Sequence, residues 1–237
     1  MQLRKWNELP KFMRTREVRK YYNIVNKRRA SLMVKRLFDI VVASIMLAVL
    51  ALPMLIIIKC DSRGPVFFRQ ERVTQYGRIF KIYKFRTMVV NANELGASVT
   101  VDNDRRITRM GKLLRKIRAD EFPQLFNILA GDMTLVGTRP EVPEYVKQYS
   151  KEMYATLLLP AGLTSRTSIA YKDEDKILGN AANPDKAYVE EVLPAKMKYN
   201  LEALRKFGFA EDCRVLWDTF ESVVGSERLS VTKSRRR

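Results

Sequence analysis

Two adjacent carboxylates, Asp120 and Glu121, stand among cations between two apolar series at helix spacing. Met110, Leu113, Leu114 and Ile117 precede them; Phe122, Leu125, Phe126 and Leu129 follow. The first series carries Arg109, Lys112, Arg115, Lys116 and Arg118 on its other side, a pattern that suits either a membrane interface or the surface of a globular core. Pro123 fits the first turn of the second helix. A carboxylate at a helix start meets unpaired N–H groups and the positive end of the dipole, and the same place receives a phosphate. Arg115, Arg118 and Arg139 would keep a carboxylate ionised and grip phosphate oxygens in pairs of hydrogen bonds. An ionised Asp can attack phosphorus to form an acyl phosphate. A neighbouring carboxylate can hold Mg²⁺, which offsets the repulsion between nucleophile and phosphate. The plainer reading is that an Asp-Glu pair before a helix is a cap, and residue type and spacing alone leave both readings open.

Other carboxylates compete. Asp102 and Asp104 lie beside Arg105 and Arg106, and Asp173, Glu174 and Asp175 follow Tyr171 and Lys172. Solvated surface charge is the usual fate of such runs. The 237 residues contain no histidine, which excludes imidazole chemistry and most zinc sites. Cys60 and Cys213, far apart, read as neither a disulfide framework nor a metal site, and fit a reduced setting. No glycine pattern matches a Walker loop or a dinucleotide fingerprint. The net charge of +18 calls for an anionic partner: nucleic acid, anionic lipid or phosphorylated substrates.

The elements that must position these residues read as one domain with an N-terminal appendage. Residues 1–36 hold twelve Lys and Arg against two Glu, a net +10. They read as a basic arm, either solvated or drawn to anionic headgroups, and not as a secretory signal. Leu37 to Ile58 is apolar apart from Asp39 and would form a helix about 33 Å long. A spanning helix is the default reading. Pro53 inside the run, and basic residues on both flanks, equally fit a bent segment that returns to the face it entered. Val66–Val73 and Arg78–Phe85 around Thr74–Gly77 predict a β-hairpin. A loop with a short helix is expected from Asn91 to Asp104. Gly131 should end the helix after Pro123, with irregular, turn-rich chain to Pro140. After Pro160 comes another loop, Gly162–Ser168, then helices around 185–207, where Pro194 sits awkwardly, and 212–224. The basic tail, 226–237, is expected to be disordered.

Five motifs in order resemble the bacterial sugar transferase family, the small monotopic polyprenol-phosphate phosphoglycosyl transferases. They are Lys35-Arg36-Leu37-Phe38-Asp39, Gly64-Pro65-Val66-Phe67-Phe68-Arg69-Gln70-Glu71-Arg72, Lys84-Phe85-Arg86-Thr87-Met88, Asp120-Glu121-Phe122-Pro123-Gln124-Leu125, and Gly131-Asp132-Met133 through Arg139-Pro140. Any one alone is weak; five in order are specific. The resemblance implies an α+β, mostly helical fold. It has a re-entrant membrane helix over 37–58 broken near Pro53, a β-hairpin, and interfacial amphipathic helices around an active site in a catalytic domain at 59–225. It implies residence on the cytoplasmic face of a bacterial inner membrane, in contact with membrane lipids, and a ping-pong reaction needing Mg²⁺. Asp120 would attack the β-phosphorus of a UDP-sugar and release UMP, and polyprenol phosphate would then take the phospho-sugar to start a cell-surface glycan. Glu121, with Asp120, would bind Mg²⁺. Arg115 and Arg139 match phosphate-binding cations, and Lys84 and Arg86 sit in a motif near the site.

Two positions depart from the common pattern. Thr138 stands where a proline is usual, and Leu163–Ser168 replaces a form closer to Ile-Thr-Gly-Leu-Ala, in a stretch associated with sugar recognition. The competing reading is a non-enzymatic, membrane-tethered basic protein that binds nucleic acid or anionic lipid. No reading helix or aromatic platform for nucleic acid is evident, so no nucleic-acid partner is expected. Whether the chain forms a homo-oligomer is left open by the sequence.

Overall fold

The computed structural model describes residues 1–61, 65–92, 104–171 and 183–234, with the side chains of 50–61, 184 and 223–234 outside that description. The expected short helix in 91–104 falls largely outside it, as do Asp102 and Asp173 to Asp175.

The hairpin forms as expected. Strand β1 (Phe67–Val73) pairs antiparallel with β2 (Ile79–Phe85), from Phe67 opposite Phe85 to Val73 opposite Ile79. The two central helical series also form, as α3 (Arg109–Lys116) and α4 (Gln124–Ala130), and Gly131 ends α4 at φ 87°. Each flanking loop, however, contains a strand. Met133–Val136 (β3) and Ala161–Thr164 (β4) make a two-stranded parallel sheet. Four residues wholly buried on both faces carry no polar–apolar alternation, which is why β3 reads as irregular chain.

Gly162 makes this pairing tight. A Cβ built on it would lie 2.1 Å from the Gly137 carbonyl oxygen. The absence of a side chain lets the Gly162 amide donate to Thr138 (2.8 Å) while the Gly137 amide donates to Thr164 (3.0 Å). Short helices α5 (Pro143–Val146) and α6 (Arg166–Ala170) lie outside this pair. Helix α7 (Pro184–Ala187) runs through a π turn, Tyr188–Val192, into α8 (Leu193–Arg205). Pro194 falls in the first turn of α8, where a missing N–H costs little.

The N-terminal stretch is not a solvated arm. Helix α1 (Arg16–Lys27) buries Val18, Tyr21, Tyr22 and Val25, an i, i+3, i+4, i+7 stripe. With Leu3, Leu9 and Met13 these join a core shared with Ala155, Leu157, Leu158, Leu204 and Phe207. Trp6 meets Tyr22 edge to face at 5.2 Å, and Phe12 meets Tyr154 at 5.0 Å. Each fully buried side chain of this size contributes about 1.5–3 kcal/mol. The charges lie on the outer face and mask the stripe when the sequence is read for charge.

Helix α2 (Arg29–Asp61) crosses the expected boundary at 36/37 and runs through Pro53 without interruption. A proline removes one hydrogen bond, and the ladder resumes beyond it, so the expected break does not end the helix. The basic residues at its entry face protein. Lys35 is 2 % exposed and donates to the Val136 carbonyl and to Asp212, both at 2.8 Å. Arg36 donates to the Ile128 (2.6 Å) and Leu129 (3.0 Å) carbonyls at the end of α4. Asp39, 1 % exposed, accepts from the Thr134 hydroxyl (2.6 Å) and the Leu135 amide (3.1 Å). These three side chains clamp α2 to β3 and α4.

The opposite face of α2 leaves Met33, Leu37, Ile45 and Val49 at least 60 % exposed. Among the described residues no helix is long and apolar enough to cross a membrane. The last helix, α9 (Phe209–Ser234), extends through most of the tail expected to be disordered. Beyond Gly225 that tail holds no proline or further glycine to stop a helix.

Candidate active site

Asp120 and Glu121 lie in one 3-10 turn, Ala119–Glu121, entered through Arg118 in the left-handed region at φ 54°. Both are about nine-tenths buried. Neither caps α4, which begins at Gln124. The turn is closed by backbone bonds, the Leu125 amide to the Phe122 carbonyl and the Phe126 amide to the Pro123 carbonyl. The plain capping reading therefore fails, and the pair needs another account.

The two carboxylates sit in opposite environments. Glu121 is pinned: Arg139 donates to both its oxygens, from Nη1 to Oε2 at 3.1 Å and through a short bond from Nη2 to Oε1. Lys84 Nζ reaches Oε1 at 3.3 Å. Burial alone would raise its pKa, but Arg139 and Lys84 outweigh burial and hold it far below the usual carboxylate range. Asp120 accepts no hydrogen bond from a described residue. Burial pushes its pKa up, against the pull of Lys84, Arg115 and Arg139. Adjacent carboxylates driven apart in this way are suited to different tasks: a fixed charge at Glu121 and an unengaged oxygen at Asp120.

Four elements deliver the cations. Lys84 comes from β2, and burial lowers its pKa while Glu121 opposes the drop. Arg115, in the last turn of α3, is held by its Nε donating to the Thr87 hydroxyl at 2.9 Å. Gly111 permits that approach, since a Cβ there would lie 2.1 Å from the Thr87 carbonyl oxygen. Arg118 precedes the turn, and Arg139 follows β3. The cations acting most strongly on the two carboxylates are Lys84, Arg115, Arg118 and Arg139; Arg86 is not among them. Arg86 is half-buried beyond β2, its amide donating to the Val66 carbonyl at 2.9 Å. Four cations against two carboxylates leave the site electropositive and suited to phosphate.

A buried network behind Arg139 had no distinct signal in the sequence. Arg72 Nη1 donates to the Pro140 carbonyl at 3.3 Å, and the Val73 amide to the Glu141 carbonyl at 2.9 Å. The Glu141 carboxylate accepts from the Tyr188 hydroxyl at 2.7 Å, and Lys196 Nζ lies 3.5 Å from it. Arg72 stood in a motif but carried no role, and Glu141, Tyr188 and Lys196 are far apart in sequence. Gln124 is fully buried, and neither end of its carboxamide is bonded to a described residue. Asp104, by contrast, is a buried structural ion pair with Arg106 at 2.6 Å rather than solvated charge. The Leu163–Ser168 stretch spends its polar groups on packing: Thr167 bonds Asn200 (2.7 Å), and Arg166 pairs with Glu211 (2.7 Å) and Asp218 (3.0 Å).

Among the described residues no group of three or more acidic or thiol side chains could cage a metal ion. Two adjacent carboxylates are the ordinary protein share for Mg²⁺ that completes its shell with substrate phosphate and water, so the donor set fits that ion.

Known proteins are similar to this chain in sequence. The family described as bacterial sugar transferase matches residues 30–226. UDP-N-acetylgalactosamine-undecaprenyl-phosphate N-acetylgalactosaminephosphotransferase of Aeromonas hydrophila is 35% identical over 198 residues, 81% of this chain and 44% of that protein. UDP-glucose:undecaprenyl-phosphate glucose-1-phosphate transferase of Klebsiella pneumoniae is 32% identical over 192 residues, 78% of this chain and 39% of that protein. Undecaprenyl-phosphate galactose phosphotransferase of Salmonella typhimurium is 34% identical over 165 residues, 62% of this chain and 34% of that protein. The chain thus spans less than half the length of each of these three relatives. The matched span holds the clamp of α2, the hairpin and every residue of the carboxylate site, and on that match this chain belongs to the bacterial sugar transferase family.

Proposed function

We propose that this chain transfers a sugar phosphate from a UDP-sugar to polyprenol phosphate, initiating a cell-surface glycan. The observation that carries this reading is the asymmetry of the carboxylates: Glu121 pinned by Arg139 and Lys84, Asp120 buried beside it without a hydrogen bond. In the first half-reaction an Asp120 oxygen attacks the β-phosphorus. The bond from that phosphorus to the bridging oxygen breaks, UMP leaves, and an acyl phosphate bearing the sugar remains. In the second, the polyprenol phosphate oxygen attacks the same phosphorus and the Asp120 carboxylate departs. Arg115 and Arg139 hold phosphate oxygens and stabilise the charge that builds on them. Asp120 and Glu121 would hold Mg²⁺, whose charge, when it is bound, offsets that of the diphosphate.

The acceptor is a lipid, so the site must meet a membrane. The exposed apolar face of α2, with Leu113 on α3 (50 %) and Phe126 on α4 (45 %), supports docking of this side on a bilayer. In this reading α2 dips into the cytoplasmic leaflet, and the hydrogen bond missing at Pro53 lets it bend there without ending the helix. The function is tested by UMP release from UDP-N-acetylgalactosamine, UDP-glucose and UDP-galactose with Mg²⁺ and polyprenol phosphate. Acceptor-dependent UMP release with at least one donor is expected. No release with any UDP-sugar would reject the reading.

A further inference from the structure

Residues 1–29 precede the span matched by the family, yet they are folded onto the core rather than trailing from it. This module carries a shallow cavity of about 420 Å³ that is open to solvent. Its walls include Trp6, Thr15, Arg14, Arg16, Arg19 and Lys20, and no lining residue is acidic. None of the four cations forms an ion pair with a described residue. All four are exposed and free to reach a ligand in the open cavity.

The acid next to these residues in the chain, Glu17, covers the start of α1. Its carboxyl is held low by its own amide and the Thr15 hydroxyl, with Lys151 and Lys20 adding to the effect. The helix end is therefore already satisfied, and any ligand must be held by the four side chains. Arg19 is set in advance: its guanidinium lies 4.6 Å from the Trp6 ring centre, and Trp6 is itself braced by Tyr22. Four like charges around one open cavity repel weakly through water and together favour an anion between them. Three are arginines, whose planar fork suits bidentate bonds to phosphate.

We propose that this cavity is a second phosphate site, built from none of the residues around Asp120, for a ligand bearing two or more phosphate groups. Soluble diphosphates and clustered lipid headgroup phosphates present the same chemistry, and the test separates them. Titration calorimetry of the detergent-solubilised full chain with inorganic pyrophosphate should show binding at this cavity in addition to binding at the electropositive active site. An Arg14→Gln/Arg19→Gln double variant should lose one binding event and keep its UMP release. Arg14→Gln/Lys20→Gln, which leaves Arg19 on Trp6, should do the same, so that a packing defect at Trp6 cannot account for the loss. Arg139→Gln should weaken only the other event.

In the lipid arm, vesicles of phosphatidylglycerol are compared with vesicles of phosphatidylcholine. A loss confined to the anionic vesicles, about tenfold or more for two charges, assigns the site to headgroups. A loss of pyrophosphate binding assigns it to a soluble ligand. If both double variants retain every pyrophosphate event and the wild-type affinity for anionic vesicles, the proposal is overturned.

Discussion

Glu121 shows how much of this site depends on one guanidinium. Arg139 bonds both of its oxygens, and Lys84 adds a third contact. Lysine at position 139 would keep the charge and lose the fork. Arg139→Lys is therefore expected to lower kcat/KM on the order of a hundredfold while the protein remains folded. A near-normal value would mean that charge alone suffices.

Asp120 makes a separate prediction through pH. Its pKa is raised by burial, with Lys84 the strongest opposing charge, and attack requires the ionised form. Because the pKa is raised, the active fraction is lost as pH falls through a value above the ordinary ~3.9 of an aspartate. Glu121, held low, stays ionised throughout and does not contribute to that limb. Lys84→Met should move the acidic limb of kcat/KM to higher pH; an unmoved limb, or one below ~3.9, would contradict the assignment. The pair itself is legible in the sequence from its arginine neighbours. Its division of labour is not, because it depends on residues 18 and 37 positions from Glu121 that only tertiary structure brings within reach.

At the scale of elements, Arg139 is only as well placed as the strand before it. β3 is held by Asp39 and Lys35 from α2 and by the close approach of Gly162 from β4. Gly162→Ala would put a carbon 2.1 Å from the Gly137 carbonyl oxygen, two residues before Arg139. It should destabilise by about 1–3 kcal/mol and lower turnover in the surviving fold. Differential scanning calorimetry and UMP release together check this, and wild-type values for both would show that the segment adjusts freely. The hairpin was legible because two runs rich in β-branched and aromatic residues flank a glycine-containing turn, and helices α3 and α4 because helix spacing extends over seven or more residues. The β3–β4 sheet was not, because each strand is four residues long and its partner lies about 28 residues away. The α2 clamp was hidden for a different reason: Lys35 and Arg36 read as membrane-flanking charge, although both are spent on backbone carbonyls.

At the scale of the molecule, two unlike surfaces must be reconciled. The N-terminal module packs its apolar stripe against Ala155, Leu157 and Leu158 and turns its cations outward. The first half of α2 buries Lys35 and Asp39 and turns Met33, Leu37, Ile45 and Val49 outward. A chain that follows α1 directly into α2 accordingly presents a charged surface and an apolar one, the arrangement that the proposed re-entrant segment requires. Single cysteines at Lys5 and Ser226, in a background lacking Cys60 and Cys213, should both resist an impermeant thiol reagent in intact cells. Both should react after permeabilisation. Labelling of position 5 from outside, with position 226 protected, would establish a spanning helix instead.

The central claim concerns one oxygen atom of Asp120, and intact-mass spectrometry addresses it without reference to turnover. The full chain is incubated with a UDP-sugar that supports UMP release, with Mg²⁺ and without acceptor, then digested and mapped. The account predicts one added phospho-sugar on the peptide containing Asp120, its discharge when polyprenol phosphate is supplied, and neither adduct nor turnover in Asp120→Asn. An adduct on another residue, or an Asp120→Asn enzyme that turns over at near the wild-type rate, would contradict it.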